Sequence, residues 1–254
     1  MSRSPAAQTI KQYALIDNNV EAFPDKHGLL VSAKCRVTLY EIICPLAVAQ
    51  MMKLYYAPGT SAVGIRVLLE EIGKPYEVAL LDLAAREQYQ PAFSSINPKS
   101  KVPTLIRDDG SVLTEFGAIA RWLARTNPEA SLLPQDSDSE ARAIELLDYV
   151  VGTVHMRGFS RMIIPMVFGP DAQRADIVAT GRAMVTKGFE IIDAGLASKA
   201  YAAGHYSYVD SALFYVERWA ERFSMPLPPN CKRHYETMME RPAVKRVLAA
   251  DQLR

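Results

Sequence analysis

Residues 97–124 read NPKSKVPTLIRDDGSVLTEFGAIARWLA, and the fold follows from this stretch. The residue before a proline is pushed toward extended geometry, and X-Pro is the one peptide bond that readily turns cis. A cis Val102–Pro103 bond would turn the Val102 backbone outward, its N–H and C=O free to pair with an extended, peptide-like ligand. Two short apolar runs follow, Thr104–Arg107 and Ser111–Leu113, joined by Asp108-Asp109-Gly110. An Asp-Gly turn between such runs signals a hairpin. Glu115 then opens a helix to about Arg125, and the unpaired N–H groups of its first turn favour anions. The stretch offers a peptide backbone a partner at Val102 and its carboxylate a nest at Glu115-Phe116.

Upstream, Met52–Tyr56 reads as a strand and Ala57–Thr60 as a loop. Ser61–Ile72 is a helix with Val63, Ile65, Leu68, Leu69 and Ile72 near one side, stopped by Gly73-Lys74-Pro75. Tyr76–Leu81 is a second strand, so the unit is a parallel, right-handed crossover. An irregular or short helical piece at about 86–96 leads into the proline loop, and residues 52–127 close as a thioredoxin-like α/β unit. Residues 128–139, rich in proline and acids and without apolar period, are expected to join the domains.

From 140 to 254 the apolar period is helical throughout, which predicts an all-helical domain. One stripe is Ile144, Leu147, Val151 and Val154, ending near Pro165. Val185, Gly188, Phe189, Ile192 and Leu196 form a second. Val209, Ala212, Leu213, Val216, Ala220 and Phe223 form a third, followed by short helices near 230–240 and 243–250. Ser207 with Asp210 three positions later reads as a structural capping box.

The totals narrow the function. The 254 residues carry a formal net charge of +1 with dispersed cations, so neither a polyanionic partner nor a nucleic-acid surface is indicated. Cys35, Cys44 and Cys231 are widely spaced and odd in number, which fits free thiols in a reducing cytoplasm better than a disulfide framework. No metal-ligand spacing, CxxC pair or phosphate-binding glycine loop is present. Near the start, the apolar run Ile42–Ala49 is too short to span a bilayer, so no membrane partner is expected. Residues 1–51 fit no period and read as an extension outside the fold, disordered or upstream of the start codon.

NPKxxVPTL, the DDG hairpin and LTE, in that order, resemble the glutathione-binding half of the cytosolic glutathione transferases. The likeness is nearest to the bacterial classes and covers about residues 52–250. It implies a thioredoxin-like N-terminal domain followed by an all-helical substrate domain. It also implies glutathione as co-substrate, a small hydrophobic electrophile, a homodimer, and a detoxifying role in the cytoplasm. The implied chemistry is attack by the glutathione thiolate. A free thiol titrates near ~8.5, so a hydroxyl donor and a helix N-terminus beside the sulfur favour the anion.

Ser61 stands where the bacterial beta class carries a cysteine, and its spacing to Arg66 is similar to that of serine-type classes such as phi. It reads either as the donor to the sulfur or as a helix N-cap, with Thr60 as the next candidate donor. Val102 and Pro103 would grip the peptide backbone. Glu115 resembles the acid that pairs with the α-amino group. Phe116 departs from the small residue usual beside it, keeping the backbone N–H but losing a hydroxyl contact and tightening the pocket. Arg86 stands near the place of a base for the glycyl carboxylate, or is a solvated arginine.

His155 lies in HMRGFS, similar to the beta-class HKGF segment but one residue longer. As an α-helix, Asp148, Gly152, His155 and Phe159 would share one face, with Gly152 allowing close approach. Met156, Phe159 and Met162 would supply an adaptable apolar wall. Two other readings stay open: a non-catalytic, transferase-like binding or assembly protein, and a glutathione-dependent peroxidase or disulfide reductase.

Overall fold

The computed structural model describes residues 51–134 and 136–252; the reading of residues 1–50 and of Cys35 and Cys44 lies outside them. Strand β1 (Met52–Tyr56) buries Met52, Leu54 and Tyr56, the alternation of a strand with one dry face. It pairs in parallel with β2 (Tyr76–Leu80), Met52 opposite Tyr76 and Tyr56 opposite Leu80. Between them runs α1 (Ala62–Ile72), stopped by Gly73 at φ 73°, a left-handed position where glycine carries no Cβ penalty. After β2 come a 3₁₀ turn, Glu87–Tyr89, and one turn of helix α2 (Pro91–Ser94). The buried Phe93 covers the other face of β1, its ring 5.1 Å from Tyr55.

Strands β3 (Thr104–Ile106) and β4 (Val112–Thr114) complete a four-stranded sheet of order β2-β1-β3-β4. Leu105 lies opposite both Leu54 and Leu113. The hairpin has a three-residue loop rather than a two-residue one. Gly110 donates to the Arg107 carbonyl at 2.9 Å and takes φ 79°, while Arg107 N–H reaches Ser111. That is a tight turn followed by a left-handed glycine, the usual three-residue solution. Helix α3 (Phe116–Thr126) then packs beside α1.

The rest is helical. A 3₁₀ turn at Pro128–Ala130 precedes α4 (Ser137–Tyr149), whose N-terminus is closed by the Asp136 carboxylate accepting from the Asp138 and Ser139 N–H groups. Residues Val150–Phe159 continue α4 as a π-helix, ending in the short α5 (Ser160–Ile163). Then come α6 (Arg174–Gly195), α7 (Tyr208–Arg222), α8 (Pro229–Glu240) and α9 (Pro242–Gln252). The second and third stripes face the core: Val185, Phe189, Ile192 and Leu196 are buried, as are Val209, Ala212, Leu213, Val216 and Ala220. Helix α7 is buried on every side from Tyr208 to Glu217, which a single apolar stripe does not convey.

The π-helix corrects the expected common face. With i→i+5 hydrogen bonds each residue turns through a smaller angle, so α-helical spacing no longer predicts who shares a side. Buried positions recur at Val150, Val154 and Gly158-Phe159, while Asp148 and Gly152 are exposed, His155 is half-buried and Phe159 is fully buried. Gly152 meets nothing within 4 Å; the close approach falls instead at Gly158 and Gly181, where a Cβ on Gly181 would lie 2.7 Å from the Gly158 carbonyl oxygen.

Two devices fix the helices against the sheet unit. At Gly64 on α1, a Cβ would stand 2.5 Å from the Ser211 carbonyl of α7 and 2.9 Å from the Phe116 ring. From α1, three charge pairs reach the C-terminal helices: Glu71 with Arg241 at the α8–α9 junction, and Glu70 with Arg246 and Arg66 with Asp251 on α9. The last is buried, at 2.7 Å, and Asp251 also accepts the Tyr56 hydroxyl.

Within α7, Asp210 closes the capping box with Ser207, and its carboxylate also faces His234 of α8 at 3.1 Å. The other ring nitrogen of His234 lies 2.9–3.0 Å from both carboxylate oxygens of Glu217. All three side chains are fully buried.

Candidate active site

The loop Ala57–Thr60 turns the chain from β1 into α1 and sets Ser61 at the helix entrance. Ser61 is buried, and its side chain makes no capping hydrogen bond. Capping falls to Thr60, whose Oγ1 donates to the Ala57 carbonyl at 2.7 Å and accepts from the Ala62 N–H at 3.3 Å. Thr60 is thereby occupied, and the Ser61 hydroxyl is left for other work.

The proline loop is stapled from beneath. The Val102–Pro103 bond is cis. Asn97, almost fully buried, donates through Nδ2 to the Lys101 carbonyl (2.9 Å) and to Thr104 Oγ1 (2.8 Å), while Thr104 donates to the same carbonyl. Among the described residues, neither main-chain group of Val102 has a main-chain partner. The positive charge of Lys101, beside it in the chain, helps to lower His155.

Helix α7 carries the link between the halves. Trp219 Nε1 donates to the Gly59 carbonyl at 2.8 Å, tying α7 to the loop before Ser61. The Trp219 ring meets His155 edge-on at 4.7 Å, and Tyr215 lies 5.1 Å from Trp219 and 5.1 Å from Phe116. The Tyr215 hydroxyl is 3.2 Å from His155 Nδ1. Burial, with the Lys101 charge adding to it, lowers His155 to about 4, so the ring is neutral at physiological pH. Burial pushes the Tyr215 phenol up, so it stays protonated. In the tautomer that accepts the Tyr215 hydroxyl at Nδ1, the neutral imidazole carries its proton on Nε2 and is an uncharged donor there.

Phe116 is buried and turned inward. Its ring fills the space that Gly64 leaves open, against Tyr215, so position 116 keeps its main-chain N–H at the start of α3. Glu115, the N-cap of α3, has φ 72° and an exposed carboxylate that accepts from Lys99 Nζ at 2.7 Å. Arg86 is exposed, and its guanidinium lies 5.2 Å over the Tyr89 ring.

A family model described as the glutathione S-transferase N-terminal domain matches residues 61–126, from Ser61 through the proline loop to α3. The glutathione S-transferase GstA of Escherichia coli O157:H7 is 32% identical over 208 residues, covering 80% of this chain and 100% of that one. The chain belongs to the glutathione S-transferase family. Among solved structures, a transferase homolog from Sulfitobacter with bound glutathione aligns at a TM-score of 0.75, with 26% identity over 79% of this chain and 98% of that one. A sphingomonad glutathione S-transferase complexed with glutathione aligns at 0.69, with 28% identity over 80% and 100% of the two chains.

In this glutathione S-transferase, contacts through α7 link Ser61's loop, Phe116 and His155, and the pairing of Thr104 with Tyr55 sets the Val102–Pro103 loop beside the end of β1. Glu115 sits at the outer edge of this seam. Nothing in the structure ties Arg86 to them. The expected apolar wall is reduced to Met156, which is exposed. Phe159 and Met162 are core, Phe159 meeting Trp219 and Phe189 edge-on and Phe223 at a tilt.

Four residues escaped the sequence reading. Tyr215 and Trp219 sit four apart on α7, one step off the recorded stripe, and an aromatic pair at that spacing was the available signal. Asn97 and Lys99 were in plain view in NPK, but their roles depend on a loop that only tertiary structure folds back. A separate cleft of about 620 Å³ runs between α3 and α4, lined by Glu115, Phe116, Arg121, Trp122, Leu147 and Asp148. It shares the N-terminus of α3 with the seam but not Ser61 or His155.

Proposed function

We propose that Ser61 donates its hydroxyl to the sulfur of glutathione and holds it as the thiolate that attacks a hydrophobic electrophile. In this reading residues 52–127 grip glutathione and residues 140–254 receive the electrophile. The peptide lies extended along Val102 and Pro103, its γ-glutamyl end at Glu115 and the Phe116 N–H. His155, neutral, presents its Nε2 proton from the helical side, while Arg86 is reserved for the glycyl carboxylate. The family reading brings with it a homodimer and a detoxifying role in the cytoplasm. Among the described residues no helix is long and apolar enough to cross a membrane.

The observation that carries this reading is the division of labour between Thr60, which caps α1, and the buried Ser61, which does not. A hydroxyl can donate to a thiolate but forms no mixed disulfide, so turnover passes through bound thiolate alone. The one cysteine among the described residues, Cys231, is buried and its thiol is pushed up by that burial, so it does not compete as a nucleophile.

Titrating enzyme-bound glutathione by thiolate absorbance tests the role. In Ser61→Ala the midpoint moves up toward the free thiol's ~8.5. Losing a charge-assisted hydrogen bond costs about 1.5–3 kcal/mol, so kcat/KM at pH 6.5 falls roughly ten- to a hundredfold. An unmoved titration curve removes Ser61 from the mechanism.

A further inference from the structure

Lys99 lies at the glutathione end of the seam without a structural task that explains it. Its ammonium is 2.7 Å from Glu115 Oε1 and 2.9 Å from Thr114 Oγ1. Both members of the pair are open to solvent, with 53% of the Lys99 side chain and 63% of the Glu115 side chain exposed. An ion pair of that kind contributes about 0–1 kcal/mol to folding, so the fold does not depend on it. The neighbouring cation, Lys101, bears on His155 instead.

Glu115, by contrast, is anchored through its main chain. Glu115 is held at φ 72° at the head of α3, its carbonyl accepting from the Ile119 N–H at 3.0 Å. The next side chain, Phe116, is buried against Gly64 and Tyr215 and turns no polar atom to the ligand. A head group arriving at α3 therefore meets the exposed Glu115 anion, a main-chain N–H and the Lys99 cation paired with that anion.

An α-amino-acid head group carries an ammonium and a carboxylate on one carbon, the charge inverse of Glu115 and Lys99. We propose that these two residues form a receptor for the zwitterionic head of the γ-glutamyl group. The ligand's ammonium displaces Lys99 from Glu115, and the freed Lys99 takes the ligand's α-carboxylate. One exposed ion pair is exchanged for two across the interface, so binding needs no net loss of pairing. Lys99 thus supplies the side-chain contact that Phe116 lacks and selects ligands with both charges over those with the ammonium alone. This rests on the glutathione reading of the site.

The test compares two peptides on the full chain: glutathione, and 4-aminobutyryl-cysteinyl-glycine, which keeps the ammonium and lacks the α-carboxylate. Calorimetric binding is measured for both, with KM and kcat against an aryl halide. The wild type favours glutathione by about tenfold, the scale of one charge-assisted hydrogen bond. Lys99→Met raises KM for glutathione about tenfold at constant kcat and shrinks the preference between the peptides to the part that the Phe116 N–H supplies, while Lys99→Arg retains the full preference. Glutathione binding by the wild type, with Lys99→Met indistinguishable from it, overturns this inference alone. A raised KM with the preference intact also overturns it, since Lys99 would then act on another part of the ligand. If neither peptide gives heat with the wild type, the glutathione site itself is refuted, and this inference with it.

Discussion

His234→Ala is expected to lower the stability of the enzyme by about 3–5 kcal/mol, the usual loss when one partner of a buried ion pair is removed. The histidine lies between Asp210 and Glu217, with no part of the three side chains reaching solvent. Its removal leaves two carboxylates buried near each other without a cation. Asp210 keeps the Ser207 and Ala202 N–H groups, but Glu217 keeps nothing comparable in the network. Domains hold only about 5–15 kcal/mol in total, so the variant approaches unfolding at ambient temperature. Urea denaturation followed by far-UV circular dichroism measures the loss. A double variant, Glu217→Leu with His234→Leu, removes both charges and should lose less than the single one. Equal losses would mean that size rather than charge matters at this site.

The same histidine gives wild type a pH dependence. Glu217 and Asp210 hold the imidazolium against its burial and raise His234 from about 6.5 to about 10. A group raised on folding contributes its stability fully below the unfolded value and loses it as pH climbs through the folded one. The urea midpoint is therefore expected to fall between pH 7 and pH 10, and the double leucine variant should show a flatter profile. A wild-type midpoint constant over that interval would show that His234 is not charged in the native state.

Gly64→Ala is the second large effect. The added methyl would sit 2.5 Å from the Ser211 carbonyl oxygen and 2.9 Å from two Phe116 ring atoms. A ring can turn away, but a main-chain carbonyl in a helix buried on all sides cannot. The cost is expected at the upper end of the ~1–3 kcal/mol usual for overpacking, or roughly 6–12 °C in melting temperature for a chain of this size. Because the carbonyl is the obstacle, adding Phe116→Ala should not restore stability. The helices must separate instead, drawing Trp219 from the Gly59 carbonyl and loosening the loop before Ser61. Glutathione affinity is expected to fall along with the melting temperature. A Gly64→Ala protein that melts like wild type would mean that α1 and α7 part more easily than their contact implies.

Much of the sheet unit is legible in residue order because its signals are local. Gly73 ends a helix, Asp108-Asp109-Gly110 makes a turn and a valine precedes proline, whatever lies around them. Element limits at β1, α1 and α3 accordingly come within a residue of the pattern. That the segment holding HMRGFS widens into a π-helix, packed against α6 and α7, is not legible in residue order, because the apolar spacing alone fits an α-helix. The candidate site divides the same way. Ser61, Val102 and Glu115 occupy positions the motif dictates. Trp219 reaches Gly59 across 160 positions, and Asp251 reaches Arg66 across 185, separations at which no periodicity points to a partner. Phe116 was readable as an oddity. That its ring turns inward depends on the missing Cβ at Gly64, which neither residue reveals alone.

The charge pairing between α1 and α9 has a consequence for synthesis. Arg66 and Asp251 lie 185 positions apart. At 5–20 residues per second, roughly 10–40 s of translation separate them. During that interval the nascent N-terminal half carries the Arg66 guanidinium, set over the Tyr56 ring, and the Tyr56 phenol without the carboxylate that both meet in the folded chain. The buried pair closes only when a helix still inside the ribosome emerges to supply Asp251.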